Sequence, residues 1–251
     1  MHARRRLGAR RCLTGVEPKP NRPELLLLPG LLNDADLWCD QIAGLSDVAD
    51  CRVQDLTRGN SLAELAQAVL ADAAQRFALA GFSLGGYVAQ EIARIAPERI
   101  ERLALLDTSM KPDTPDRAAM RRALNDAART PGRFHGFGER LLQTYLHPAN
   151  LRDAAITGRI RAMTERLGPE VFLRQNAIER KDGSDVLRAL TCPVLILCGE
   201  NDALTPPADH REMAALVPHA HFVQVGNSGH MAPLENPAAV TTALRIWLTG
   251  R

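Results

Sequence analysis

Aromatic residues are scarce here: two Trp, two Tyr and six Phe make up 4% of the chain, so a core must rest on Leu, Ala, Val and Ile. The five cysteines (Cys12, Cys39, Cys51, Cys192, Cys198) form no C-x-x-C pair and show no His/Cys ligand spacing. That excludes zinc-ribbon and thioredoxin-like readings, and no metal is expected. Their odd, scattered occurrence favours reduced, mostly buried thiols in a cytoplasmic protein. No apolar run approaches the roughly 18 residues of a membrane span, so no membrane association is expected. The opening MHARRRLGARRC is basic but has no apolar stretch behind it, unlike a secretory signal. An organellar transit peptide shares its Arg-rich, acid-poor character and stays open beside a simple flexible tail. Repeats and low-complexity tracts are absent.

What is present fits one large α/β domain or two small ones: 251 residues, 45% of them hydrophobic, with a net charge of +2. That charge is uneven. Seven basic residues face one acidic residue up to Arg22, and fifteen face ten between Lys111 and Arg188. No basic stripe carries nucleic-acid-reading motifs, so nucleic acid is not an expected partner. The charge of the middle segment reads first as a solvated surface; acidic substrates are the alternative.

Strand-like and helix-like signals alternate after the Pro-marked stretch Glu17 to Pro23. Leu25 to Leu28, Phe77 to Ala80, Leu103 to Leu106 and Val194 to Leu197 read as buried strands. Cys51 to Leu56 and His221 to Val225 read as further strands. Ser61 and Glu64 form an S-x-x-E capping box ahead of a helix, Leu84 to Ile95 continues from a strand, and Asn236-Pro237 opens the last helix. This alternation implies a mostly parallel sheet with helices on both faces. Between about 112 and 190 only helical stretches occur, broken at Pro131-Gly132, Pro148 and Gly168-Pro169. That block reads as a lid inserted into a domain spanning 23–251, with 1–22 as a flexible basic tail.

Gly81-Phe82-Ser83-Leu84-Gly85 is a G-x-S-x-G sequence between a strand and a helix. A serine there sits on a sharp, strained turn that exposes its hydroxyl and leaves no room for side chains at the flanking glycines. A serine hydroxyl needs a base. Of seven histidines, His2 falls in the tail, His135 and His147 in the insertion, and His210, His219 and His221 where surface positions are expected. His230 lies in a Gly-containing loop after the last strand and is the expected base. Asp202, just past the strand Val194 to Leu197, is the expected acid that orients it. Asp107 also ends a strand and competes, and Glu200 is a lesser candidate.

The segments Leu-Leu-Leu-Leu-Pro-Gly-Leu-Leu, Gly-Phe-Ser-Leu-Gly-Gly, Cys-Gly-Glu-Asn-Asp-Ala-Leu-Thr-Pro-Pro and Gly-Asn-Ser-Gly-His-Met-Ala-Pro-Leu-Glu-Asn-Pro carry a resemblance. From about Glu24 to Leu248 the chain resembles the α/β-hydrolase superfamily, in particular its small esterase, lactonase and carbon–carbon-bond hydrolase branch. The resemblance implies a cofactor-free serine hydrolase acting on an ester, lactone or thioester through Ser83, His230 and Asp202. It maps the oxyanion-hole N–H donors onto Leu84 and Leu31. Pro29 stands where a His usually braces the Leu31 loop.

The segment before Leu25 is too short and Pro-marked for the usual two preceding strands. About six strands are therefore expected, the first edge covered by the tail or by the partner in a homodimer. Trp38, Tyr87 and Met231 are expected to touch a small ester-like substrate. Apolar insertion residues (Phe134, Phe137, Leu141, Leu142, Tyr145, Met163, Phe172) either line an acyl pocket or pack the lid. Carbon–carbon-bond cleavage, cofactor-free perhydrolysis and a non-catalytic small-molecule receptor are the alternatives on the same fold.

Overall fold

A computed structural model describes residues 22–130, 134 and 136–250. The expected basic tail lies, Arg22 apart, outside the described residues, as do Pro131, Gly132 and His135. The four-leucine run forms β1 (Glu24–Leu28), with Leu25 to Leu28 wholly buried. It is followed by β2 (Asp50–Val53), β3 (Phe77–Phe82), β4 (Ile100–Leu106), β5 (Val194–Gly199) and β6 (His221–Val225). All neighbours run parallel, in the order β2-β1-β3-β4-β5-β6. No strand precedes β1 among the described residues, so the reduced six-strand sheet is as expected.

Composition follows position. Every residue of β3 and β5 is buried, whereas the edge strands β2 and β6 are half-exposed and polar. Central parallel strands are covered on both faces and read as continuous apolar runs; edge strands do not.

Ten helices are described: α1 (Cys39–Leu45), α2 (Leu62–Asp72), α3 (Leu84–Ile95), α4 (Pro115–Arg129), α5 (Glu139–Tyr145), α6 (Ala154–Ala177), α7 (Ser184–Ala189), α8 (Pro207–Leu216), α9 (Ala232–Glu235) and α10 (Pro237–Thr249). The Ser61 side chain accepts from the Glu64 N–H and starts α2, but Glu64 reaches back to the Asn60 N–H rather than to Ser61. Asn236 accepts from the Ala239 N–H to start α10. In α6 the break falls at Gly168-Pro169, where Gly168 takes φ 73°. Helices α4 to α7 lie between β4 and β5.

The chain leaves β1 toward β2 and returns on the other side at β3. That reversal makes a crevice at the strand carboxyl ends, where open α/β sheets bind ligands. No described helix is long and apolar enough to cross a membrane.

One expectation about cysteine needs correcting. Cys51, Cys192 and Cys198 are free, burial pushing the Cys51 thiol up to about 12, but Cys39 is disulfide-bonded. An odd count excludes complete pairing, not a single pair.

Candidate active site

Ser83 directly follows β3 and caps α3 with φ 50° and ψ −113°, a conformation non-glycine residues rarely adopt. The flanking glycines explain how the turn closes. A Cβ on Gly81 would collide with the Gly85 carbonyl, and one on Gly85 with the Leu28 carbonyl of β1. The Ser83 N–H is tied to the Leu106 carbonyl at 3.0 Å, and its carbonyl accepts from the Thr108 hydroxyl at 2.7 Å. Such strain typically costs ~1–3 kcal/mol, held here by packing on both sides. The amino end of α3 points its partial positive charge at the Ser83 hydroxyl region.

His230 brings its ring to that hydroxyl from the loop after β6. Its Nε2 lies 2.9 Å from Ser83 Oγ, and its Nδ1 lies 2.9 Å from Asp202 Oδ2. The residue is 1% exposed. Its ring packs edge-on to Tyr145 and tilted against Phe82, both at 5.3 Å between centroids. The Tyr145 carbonyl accepts the His230 N–H at 2.7 Å. Gly229 permits this approach, because a Cβ there would strike the backbone of Leu146 and His147.

Asp202 is saturated with donors. Oδ1 accepts from the N–H groups of Leu204 (2.8 Å) and Thr205 (3.0 Å), and Oδ2 accepts from the Thr205 hydroxyl at 2.7 Å as well as facing His230. Burial pushes its carboxyl up. The His230 charge and hydrogen bond, with the Thr205 donors, outweigh that and hold it below the ordinary value.

Asp107 does none of this. It is fully buried, one oxygen accepts the Gly199 N–H at 2.8 Å, and the other has no partner. Burial, then the Asp202 charge, raise its carboxyl well above the ordinary value. Glu200 turns away to accept the Asn227 N–H at 2.6 Å.

Ser83, His230, Leu31, Leu84 and Tyr87 share one small cavity of about 170 Å³. From the insertion, Phe137, Leu141, Tyr145 and Phe172 also line it, while Leu142 and Met163 are buried in the core and Phe134 packs on Phe172. Trp38 and Met231, expected at the substrate, are wholly buried and are not among the lining residues. Trp38 instead sets its ring edge-on to Phe82 at 6.5 Å, beneath the serine turn. His210, expected at the surface, is buried. Its Nε2 accepts the Thr108 N–H, and burial lowers its pKa.

Two side chains that matter here were not apparent in the sequence. Gln175 of α6 accepts the Leu32 N–H at 2.8 Å and donates to the Leu56 carbonyl at 3.0 Å, bracing the Pro29–Leu32 loop. Glu235 accepts from the N–H groups of Gly229 (2.8 Å) and Met231 (3.2 Å) on either side of His230. Its other oxygen takes the His147 N–H (2.7 Å) and Asn150 (2.8 Å), so one carboxylate ties the histidine loop to the insertion. Only the partial family pattern around Pro29 hinted that such a brace was needed.

The family model described as "Alpha/beta hydrolase family" matches residues 25–243. Among solved structures, a thermophilic esterase from Thermogutta terrifontis, in a malate-bound form, is 30% identical, with a TM-score of 0.80 over 91% of this chain and 90% of its own. The enol-lactonase from Burkholderia xenovorans LB400 is 24% identical, with a TM-score of 0.81 over 91% and 92%, a likeness of fold. A RutD protein of Enterobacter cloacae subsp. cloacae, provisionally named a carbamate hydrolase, is 24% identical over 91% of this chain and 93% of its own.

Proposed function

The chain belongs to the alpha/beta hydrolase family, and within it we propose a serine hydrolase that cleaves a carboxylic ester or lactone through an acyl-enzyme on Ser83. What carries the reading is one buried hydrogen-bonded line, Ser83 Oγ to His230 Nε2 and His230 Nδ1 to Asp202 Oδ2, with both contacts at 2.9 Å.

The chemistry follows from that line. His230 Nε2 takes the Ser83 proton as Oγ attacks the substrate carbonyl carbon, while Asp202 holds the Nδ1–H tautomer and stabilises the imidazolium. Negative charge develops on the carbonyl oxygen, where the N–H groups of Leu31 and Leu84 are the proposed donors. The carbon–oxygen bond to the leaving group then breaks, and His230 returns the proton to that oxygen. Water repeats the sequence: His230 takes its proton, hydroxide adds to the acyl carbon, and Ser83 leaves with the proton restored. Side chains and backbone suffice for every step. The relatives' names cover ester, enol-lactone and carbamate substrates, all of which begin with attack on an acyl carbon.

A small cavity favours small acyl groups, since 170 Å³ is below the range of roughly 300–1,000 Å³ of drug-sized ligand pockets. The test is turnover of short- and long-chain p-nitrophenyl esters. Short acyl chains should be preferred, with turnover abolished in Ser83→Ala. Undiminished hydrolysis by folded Ser83→Ala would overturn the reading.

A further inference from the structure

The cavity wall holds a buried cation that acyl transfer at Ser83 does not use. Arg180, just past α6, is 4% exposed. Its Nη1 donates to the carbonyls of Gln175 (3.2 Å) and Ile178, while Nε has no partner. No carboxylate among the described residues pairs with it, although eleven other described arginines form such pairs. Burial, then the like charge of Arg121, lower its pKa to about 10, which leaves it cationic at neutral pH. A guanidinium out of water without a counter-ion is unfavourable. Capping the end of α6 uses only Nη1 and leaves the unpartnered Nε unexplained.

Its position gives the explanation. Arg180 lines the same cavity as Ser83 and His230, and its guanidinium lies 5.8 Å from the centre of the Tyr87 ring. Tyr87 follows Ser83 by one turn of α3. Arg117 and Arg121 line the cavity too and share the single carboxylate of Asp113, which is not among the lining residues. The described lining residues thus include three arginines and no carboxylate, with Phe137, Leu141 and Phe172 among the apolar ones.

Resting on the acyl-transfer reading, we propose that Arg180, flanked by Arg121, binds a carboxylate of the substrate, so that the preferred substrates are esters or lactones of small dicarboxylic acids whose free carboxylate lies at the arginine end while the scissile carbonyl meets Ser83. Arginine suits this role because its planar fork matches carboxylate geometry.

The experiment compares kcat/KM for p-nitrophenyl butyrate and for mono-p-nitrophenyl glutarate, which adds a terminal carboxylate. The wild type should favour the glutarate ester, and Arg180→Met should lower the glutarate-to-butyrate ratio by roughly 10–100-fold, mainly through KM, as expected for losing a charged hydrogen bond. Arg180→Lys should restore part of the ratio. Independently of any variant, free glutarate should inhibit wild-type butyrate hydrolysis competitively and glutaramide should not. Equal loss on both esters, or no wild-type preference together with no inhibition by glutarate, would overturn the proposal. Those failures are distinct from failure of the serine-hydrolase reading, in which neither ester is turned over.

Discussion

Substituting each buried aspartate by asparagine separates the two carboxylates that end neighbouring strands. At Asp202, the Oδ1 position faces the Leu204 and Thr205 N–H donors, and the Oδ2 position faces the Thr205 hydroxyl and His230 Nδ1. An asparagine has one acceptor oxygen, and two fixed backbone donors claim it. Its NH2 then faces Nδ1, which must become an acceptor, and the imidazole proton moves to Nε2. A protonated Nε2 cannot take the Ser83 proton at 2.9 Å. The expected loss in kcat is ~10⁴-fold, or ~5.4 kcal/mol of transition-state stabilisation, by analogy with the same tautomer error in serine proteases. Asp107 is different: burial, then the Asp202 charge, raise its carboxyl well above the ordinary value, and a neutral asparagine there keeps the acceptor for the Gly199 N–H. Asp107→Asn should lose less than roughly tenfold, since a neutral isostere leaves the Gly199 N–H paired. Steady-state kinetics on p-nitrophenyl acetate, with circular dichroism to verify folding, reads both. A folded Asp107→Asn that is inactive beside an active Asp202→Asn would refute the reasoning.

Other consequences are equally specific. Gln175→Leu strands the Leu32 N–H and the Leu56 carbonyl, and should lower kcat by up to ~10²-fold while costing about 2–4 kcal/mol of stability in urea unfolding. In Glu235→Gln one side of the clamp loses its acceptor, so kcat should fall ~10–100-fold through misplacement of His230, with KM little changed. Stability should also respond to pH in opposite senses at the two aspartates. The folded pKa of Asp107 is raised, so its contribution is complete below 3.8 and lost as pH rises through the folded value; Asp107→Asn removes that loss from thermal melts. The folded pKa of Asp202 is lowered, so its contribution is present above 3.8 and lost as pH falls through the folded value; Asp202→Asn should be less acid-sensitive.

The sheet was legible because each buried strand is a short apolar run with punctuation beside it, as at Leu25 to Pro29 and Phe77 to Gly81. The serine turn was legible for a related reason, since its glycines sit within two residues of Ser83 and their steric need is local. The parts that were not legible join residues far apart in the chain. Gln175 and Leu32 are 143 positions apart, and no local pattern marks a glutamine in an Arg-rich helix as a brace. Trp38 illustrates the opposite error. Its nearness to the expected oxyanion loop suggested substrate contact, but the chain turns inward there and the indole packs beneath Phe82. Arg180 looked like one surface charge among many until the fold buried it at the cavity.

The central claim is that Ser83 is a nucleophile activated by His230. The most direct measurement is labelling of the whole protein with a fluorophosphonate, followed by peptide mass spectrometry. The account predicts one stoichiometric adduct on Ser83, strongly slowed in folded His230→Ala and absent from folded Ser83→Ala. No adduct on the folded wild type, or an adduct on another serine, would contradict it.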